Sequence, residues 1–257
     1  MLTNERREET LRLLRLRGEL SYEWLAAHFG VSEMTARRDV EALEAAGEAR
    51  RVRGGAISVV SRAHEPAVVE REQLERDAKE SIAAAAAELV RSGDSLYLDS
   101  GTSAIVLASH LARLGARLLV VTPNLRAATV LAESPEIRVV LTGGTLRPAE
   151  QSLVGAEAER TVGTYNVDTA FLGAAGVHLE RGVTDYGVDE ASVKRLAVSR
   201  AQRVVVLADR TKLGRVSLCE ICPTSEIDVL VTDAPAQAPE VTALRGAGTE
   251  VLLVPRD

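Results

Sequence analysis

The chain has 257 residues, 46% of them hydrophobic, and a formal net charge of −6. That length and apolar content suit one large core, or one small and one medium core, and exclude a disordered chain. The longest apolar run, around Ile82 to Ala87, stops at Glu88, far short of a membrane span.

The N-terminus, Met-Leu-Thr-Asn-Glu-Arg-Arg, lacks the basic-then-apolar layout of a secretory signal, so a cytoplasmic protein without a membrane partner is expected. Two cysteines, Cys219 and Cys222, fit a reducing compartment. An acidic total argues against wholesale nucleic-acid binding, but the charge is unevenly spread. Residues 1–60 hold ten arginines and no lysine against ten acids, so they sum to zero and the −6 falls on residues 61–257. A DNA reader needs positive charge on one face, because phosphate neutralisation is local.

The first sixty residues predict three helices and a hairpin. Glu5 to Arg17 carries leucines at helical spacing and stops at Gly18. Ser21 caps a second helix, Tyr22 to Phe29, with Leu25 and Phe29 on one face; Trp24 and Phe29 are expected in the core. Gly30 supplies the turn, and Ser32 caps a third helix that runs to Gly47. Ala36, Val40 and Leu43 recur at i, i+4 and i+7 and should bury, whereas Met34, Thr35, Arg38 and Ala42 face the other way with Arg37 at the flank. This is a helix-turn-helix, and its second helix reads bases with its first turns, so Ser32, Thr35, Arg37 and Arg38 are the DNA-contact candidates. Glu48 to Arg53, Gly54-Gly55 and Ala56 to Val60 read as a two-stranded wing, whose Arg50, Arg51 and Arg53 are expected on the sugar-phosphate backbone.

At this point the chain resembles the DeoR-type family of bacterial sugar-metabolism regulators. The resemblance rests on Val31 to Val40, on Leu43-Glu44 and Gly47, and on Arg51 with Gly54-Gly55-Ala56. The family usually has Ile at Ala36 and Leu at Val40, both on the buried face.

Residues 61–77, polar and carrying Pro66, read as a linker, and an alanine-rich helix then runs to about Arg91. Strand candidates follow at Ser95 to Leu98, Leu118 to Thr122, Val139 to Leu141, Thr169 to Leu172, Val204 to Leu207, Asp228 to Val231 and Val251 to Val254. Helical stretches include Ser103 to Leu114, Leu125 to Ala132, Asp189 to Arg200 and Pro239 to Ala247. The alternation predicts a mostly parallel sheet with helices on both faces.

Ligands of such sheets sit at the carboxyl ends of the strands. There the chain places Asp99, Gly101, Thr102 and Ser103 at a helix start suited to a phosphate; Thr142, Gly143 and Gly144 with Arg147 behind them; and Asp209 with Lys212. Glu190 and Lys194, four apart on a helix, either reach the pocket or pair on the surface. The single CxxC at Cys219 and the scattered histidines do not make a zinc site, and neither a metal nor a cofactor is expected.

The resemblance continues through Asp99 to Thr102, Thr122 with Asn124, Leu141 to Gly144, Ala170 to Ala174, Glu190, Lys194, Asp209, Lys212 and Ile227 to Asp233, and so covers nearly the whole chain. Ser103 and Pro123 depart from the family pattern. It implies an effector domain similar to ribose-5-phosphate isomerase that binds a phosphorylated sugar or related metabolite. The organisation expected is therefore a winged helix-turn-helix DNA-binding domain at 1–60, a linker at 61–77 and an α/β effector-sensing domain at 78–257. The function expected is a repressor whose affinity for a double-stranded operator changes with the effector, and a two-fold operator implies at least a homodimer.

A working isomerase, with Glu190 or Asp209 as base and Lys212 as helper, is the alternative. It is disfavoured because Asp168 to Ala174 lacks the acid-rich segment of pentose-phosphate isomerases. A purely structural or recruiting module predicts no small-molecule pocket at all.

Overall fold

The computed structural model describes residues 2–58 and 68–255. The chain divides into two compact units, Met1–Pro66 and Ala67–Asp257. The expected domain boundary at residue 60, the end of the second wing strand at Val59 and Val60, and residues 61–67 of the expected linker lie outside the described residues. The remainder of that linker is not open chain, because a short helix occupies Val68–Gln73 and the next begins at Arg76.

The first unit runs α1 (Thr3–Arg17), β1 (Glu19–Ser21), α2 (Tyr22–Phe29), α3 (Glu33–Ala45), β2 (Ala49–Val52) and β3 (Gly55–Ser58). The three strands form an antiparallel sheet in the order β1-β3-β2. Strand β1 was not expected from the sequence. It is three residues long, with only the central Leu20 buried, and it exists because its backbone pairs with β3. The pairing explains Gly55: a Cβ there would overlap the Leu20 carbonyl oxygen, so the hairpin can close on β1 only with glycine at that position. Leu14, Leu25, Val40 and Ala56 meet in the core, each at most 1% exposed. Trp24 and Phe29 pack on its margin rather than inside it. Their polar or bulky edges stay in reach of His28, which stacks on Trp24 at 4.5 Å, and of Arg17, which lies over the same ring at 4.3 Å.

The second unit begins with α4 (Val68–Gln73), α5 (Arg76–Ala87), β4 (Ser95–Leu98), α6 (Thr102–Arg113), β5 (Leu118–Thr122), α7 (Leu125–Leu131) and β6 (Ile137–Leu141). It continues through β7 (Thr145–Arg147), β8 (Ser152–Val154), α8 (Ala156–Thr164), β9 (Val167–Gly173), β10 (Gly176–His178), β11 (Gly182–Asp185) and α9 (Val188–Arg200). It closes with β12 (Ala201–Leu207), β13 (Cys219–Cys222), β14 (Val229–Thr232), α10 (Pro239–Gly246) and β15 (Glu250–Leu253). Among the described residues, seven strands make one sheet, β15-β14-β12-β9-β4-β5-β6, with every neighbouring pair parallel.

Period-two alternation splits its side chains between two cores. Phe171, Val205 and Leu207 point to the face covered by α5, α6 and α7, where Ile82, Leu107 and Leu131 pack; Leu172, Val204 and Val206 point to the face covered by α8, α9 and α10, with Val162, Val193 and Leu244. Burial on both faces is why these strands read as continuous valine and leucine runs. The sequence did not reveal the β7–β8 hairpin, helix α8, or the small antiparallel sheet β10-β11-β13. These strands are only three or four residues long and carry no sustained alternation.

The strand order fixes where a ligand can enter. From β4 the chain steps outward through β5 to β6, then returns to lay β9 on the other side of β4 and steps outward again through β12 and β14. The connections therefore diverge beyond the carboxyl ends of β4 and β9, and such a switch point is where parallel sheets generally take their ligands.

Candidate functional site

The outer face of α3 presents most of the expected DNA-contact residues together. Ser32 is the N-cap: its Oγ accepts from the Thr35 amide at 3.2 Å and lies 2.9 Å from Thr35 Oγ1, so both hydroxyls sit at the first turn. Arg37 and Arg38 are exposed on the same helix, with the Arg37 guanidinium 5.0 Å from the centre of the Tyr22 ring. On the wing, Arg50 and Arg53 are exposed.

Arg51 is placed differently from the expectation of a backbone contact. Its Nε donates to Glu44 at 2.5 Å and its guanidinium meets Glu41 at 2.8 Å, while its own amide donates to the second Glu44 oxygen at 2.9 Å. The backbone amide and then the side chain of Arg51 lower the Glu44 carboxyl below its ordinary value. Arg51 thus fastens the wing to α3. Two more arginines are spent internally: Arg6 and Arg7 donate to buried Asp39 at 2.5 and 3.1 Å, tying α1 to the inner side of α3. Nothing in the spacing distinguishes Asp39 from an exposed acid except its place one residue before Val40 on the inner face.

In the second unit, the switch point is built around Lys194 of α9. Its ammonium lies 2.7 Å from Asp99 at the end of β4 and 2.6 Å from Asp185 at the end of β11, all three buried. Burial works against the Lys194 charge, yet Asp185, Asp99 and Glu190 outweigh it and hold the ammonium well above the ordinary lysine range. Asp99 also accepts from the Ser100 amide at 2.7 Å and from the Gly173 amide at 2.8 Å, which welds the loop after β4 to the end of β9. Gly101 and Gly173 lie close enough that a Cβ on either would touch the other's Cα, and α6 follows with Gly101, two residues after Asp99, as its N-cap. The first amides of a helix have no intrahelical acceptor, and with Thr102 and Ser103 they form a site suited to an anion.

Glu190, one turn before Lys194, is among the carboxylates that keep its ammonium charged. It also reaches to the β7–β8 hairpin, accepting from Ser152 Oγ at 2.7 Å and meeting Arg147 at 2.6 Å. Asn124 joins the two halves: its side-chain amide donates to the Ser100 carbonyl at 2.9 Å, and its backbone bridges to Ser152. Thr142 is buried at the end of β6, and Gly143 and Gly144 are exposed beyond it.

Asp209 and Lys212 form a separate cluster at the end of β12. Asp209 accepts from the Thr211 amide at 2.9 Å and from its hydroxyl; burial opposes its charge, but Lys212, Thr211 and Lys79 lower its carboxyl below the ordinary range. Burial pulls Lys79 of α5 down to about 8, with Asp209 opposing.

Sequence reasoning missed Asp185, Ser152 and Lys79. Asp185 ends a strand of four residues, and Lys79 sits in an alanine-rich helix where an exposed lysine is the ordinary expectation. Asp185 of β11 and Glu190 of α9 are each engaged by a cation, Lys194 and Arg147 respectively. Beside α6, a cleft of about 470 Å³ is lined by Glu72, Lys79, Thr102, Ser109, Arg113 and Arg126. The two cysteines lie buried on β13, with Cys219 opposite Asp185 in the register with β11, and burial pushes the Cys222 thiol up to about 12. No described helix is long and apolar enough to cross a membrane.

Comparison with known proteins agrees with this division. Residues 6–62 match the DeoR-like helix-turn-helix domain and residues 74–234 the DeoR C-terminal sensor domain. An Escherichia coli O157:H7 protein described as a candidate aga operon transcriptional repressor is 37% identical over 98% of this chain and 94% of its own length. The glycerol-3-phosphate regulon repressor of Escherichia coli K12 is 29% identical over 91% of this chain and 92% of its own. Among solved structures, ribose 5-phosphate isomerase A of Methanocaldococcus jannaschii is similar over 54% of each chain, at 22% identity and a TM-score of 0.41. With an α3 that carries arginines on its outer face and a parallel α/β unit whose buried charges meet at the switch point, the chain belongs to the DeoR family of transcriptional regulators.

Proposed function

We propose that the protein is a cytoplasmic repressor that binds a two-fold DNA operator as a homo-oligomer, with affinity controlled by a phosphorylated sugar or related metabolite seated at the switch point of the second unit. Ser32, Thr35, Arg37 and Arg38 read the major groove, and Arg50 and Arg53 hold the flanking phosphates. In the sensor, the start of α6 at Gly101, Thr102 and Ser103 takes the phosphate. Asp99, Glu190 and Lys194 meet hydroxyls, because charged groups held in place accept and donate hydrogen bonds without further ordering. Thr142, Gly143, Gly144 and Arg147 border the pocket on the hairpin side, and Asp209 with Lys212 on the side of β12.

The observation that carries this reading is Lys194 held between Asp99, two residues before the N-cap of α6, and Asp185. The names of the two Escherichia coli relatives, one tied to a sugar-phosphate-sized metabolite, support the effector class. Thermal-shift screening of the full chain against sugar phosphates, glycerol 3-phosphate among them, should raise the melting temperature of the second unit for at least one compound. A flat response across phosphorylated compounds removes the sensor reading.

A further inference from the structure

Helix α4 is six residues long and is the first described element after the connection from the reader, yet it is tied down at three points. Arg71 pairs with Glu150, a carboxylate only 5% exposed. Glu72 pairs with Arg126 on the first turn of α7. Lys79 of α5 donates to the carbonyls of Arg71 and Leu74, closing the carboxyl end of α4, where a cation is favoured by the helix dipole.

These ties lead to the pocket. Glu150 lies in the loop between β7 and β8, and the stem of that hairpin pairs Arg147 with Ser152. Those two residues are the ones Glu190 holds, one with each carboxylate oxygen. One pocket carboxylate therefore grips both strands of the stem, while the loop grips α4. The same loop delivers the Gln151 carbonyl to the Leu125 amide at 3.0 Å, so the helix that carries Arg126 moves with it. On the opposite rim, Lys79 faces Asp209 and Lys212.

We propose that α4 is the transmission element of the sensor, held in one position by the chain Glu190, Arg147 and Ser152, Glu150, Arg71, and released when an effector anion draws Arg147 away from Glu190. The inference rests on the placement of the effector given above. With its phosphate at the start of α6, the effector brings an anion to the pocket that Arg147 borders, and it competes for that guanidinium through bonds as strong as those it replaces, so occupancy and the clamped hairpin are alternatives. A change confined to the pocket is thereby delivered to the one segment covalently continuous with the reader, which gives the ligand two states to discriminate between.

The test is hydrogen exchange measured by mass spectrometry on the full chain, which needs no ligand. Glu150→Gln, Arg147→Ala and Glu190→Gln should each speed exchange in peptides covering residues 68–79 by about tenfold, leaving α10 at the wild-type rate as a control for folding. The double exchange Arg71→Glu with Glu150→Arg should restore protection. Wild-type exchange in residues 68–79 for Glu190→Gln and Arg147→Ala overturns the relay, and so does failure of the double exchange to restore protection. Calorimetry with glycerol 3-phosphate and inorganic phosphate reports separately on the pocket: a loss there removes the sensor reading and leaves the exchange result standing.

Discussion

The two units use charge in opposite ways. In the reader, among the described residues, the arginines on the outer face of α3 and on the wing are exposed, and carboxylates of α3 take up Arg6, Arg7 and Arg51. In the sensor, the charges that matter are buried and paired before any ligand arrives. An exposed cation is available to phosphate but contributes little to the fold, whereas a buried cluster costs desolvation, is held together by its own partners, and fails badly when one member is removed. Binding and folding can thus be altered separately in the first unit and scarcely at all at the centre of the second.

The largest effect should come from Lys194→Met. It strands Asp99 and Asp185 without their cation, and breaking a buried pair costs about 3–5 kcal/mol. Differential scanning calorimetry should show the sensor transition lowered by roughly 6–20 °C, at about 2–4 °C per kcal/mol for a unit of this size, with the reader transition unmoved. A sensor that melts as wild type would show that the cluster adds no stability.

Next comes Asp39→Asn, which removes the charge shared by Arg6 and Arg7. Loss of charge-assisted hydrogen bonds should cost the reader about 2–3 kcal/mol and lower its melting temperature without touching a DNA-facing side chain. Arg38→Ala should leave melting unchanged and weaken specific DNA binding by about 1–3 kcal/mol, the worth of a base contact. Equal loss on specific and random DNA would reassign Arg38 to the backbone.

The smallest effects are in the salt dependence. Arg50→Ala and Arg53→Ala should each flatten the slope of log affinity against log salt by about 0.9, the worth of one phosphate contact. Arg51→Ala should flatten it less than either, because its guanidinium is shared between Glu41 and Glu44. The reverse order would mean that DNA pulls Arg51 off α3.

The helices of the reader were legible from their period and the seven parallel strands from their apolar runs: Leu118–Thr122 and Tyr22–Phe29 coincide with the strand and helix expected there. Strands β1, β7, β8, β10, β11 and β13 were not, since they carry no comparable apolar run and their existence depends on a distant partner. The site followed the same rule. Asp99 and Thr102 could be singled out because strand ends and helix starts are local features, and Lys194 because it shares a helix face with Glu190. Asp185 and Ser152 were missed because only the closed fold brings them to Lys194 and Glu190. Of the two readings the sequence left open for Glu190 and Lys194, an exposed surface pair does not hold, because both side chains are buried, the lysine against Asp99 and Asp185 and the glutamate against the hairpin.

The central claim is that an anion at the start of α6 governs DNA affinity, and fluorescence anisotropy tests it most directly. The full chain would be bound to DNA recovered from its own genome and titrated with sugar phosphates and with the same sugars lacking phosphate, as wild type and as Thr102→Val. The account predicts that at least one phosphorylated compound shifts wild-type affinity, that its unphosphorylated counterpart does not, and that Thr102→Val needs at least about tenfold more compound for the same shift, the loss of one charge-assisted hydrogen bond. A wild type that responds equally to the bare sugar, or a Thr102→Val variant with an unchanged midpoint, would contradict it.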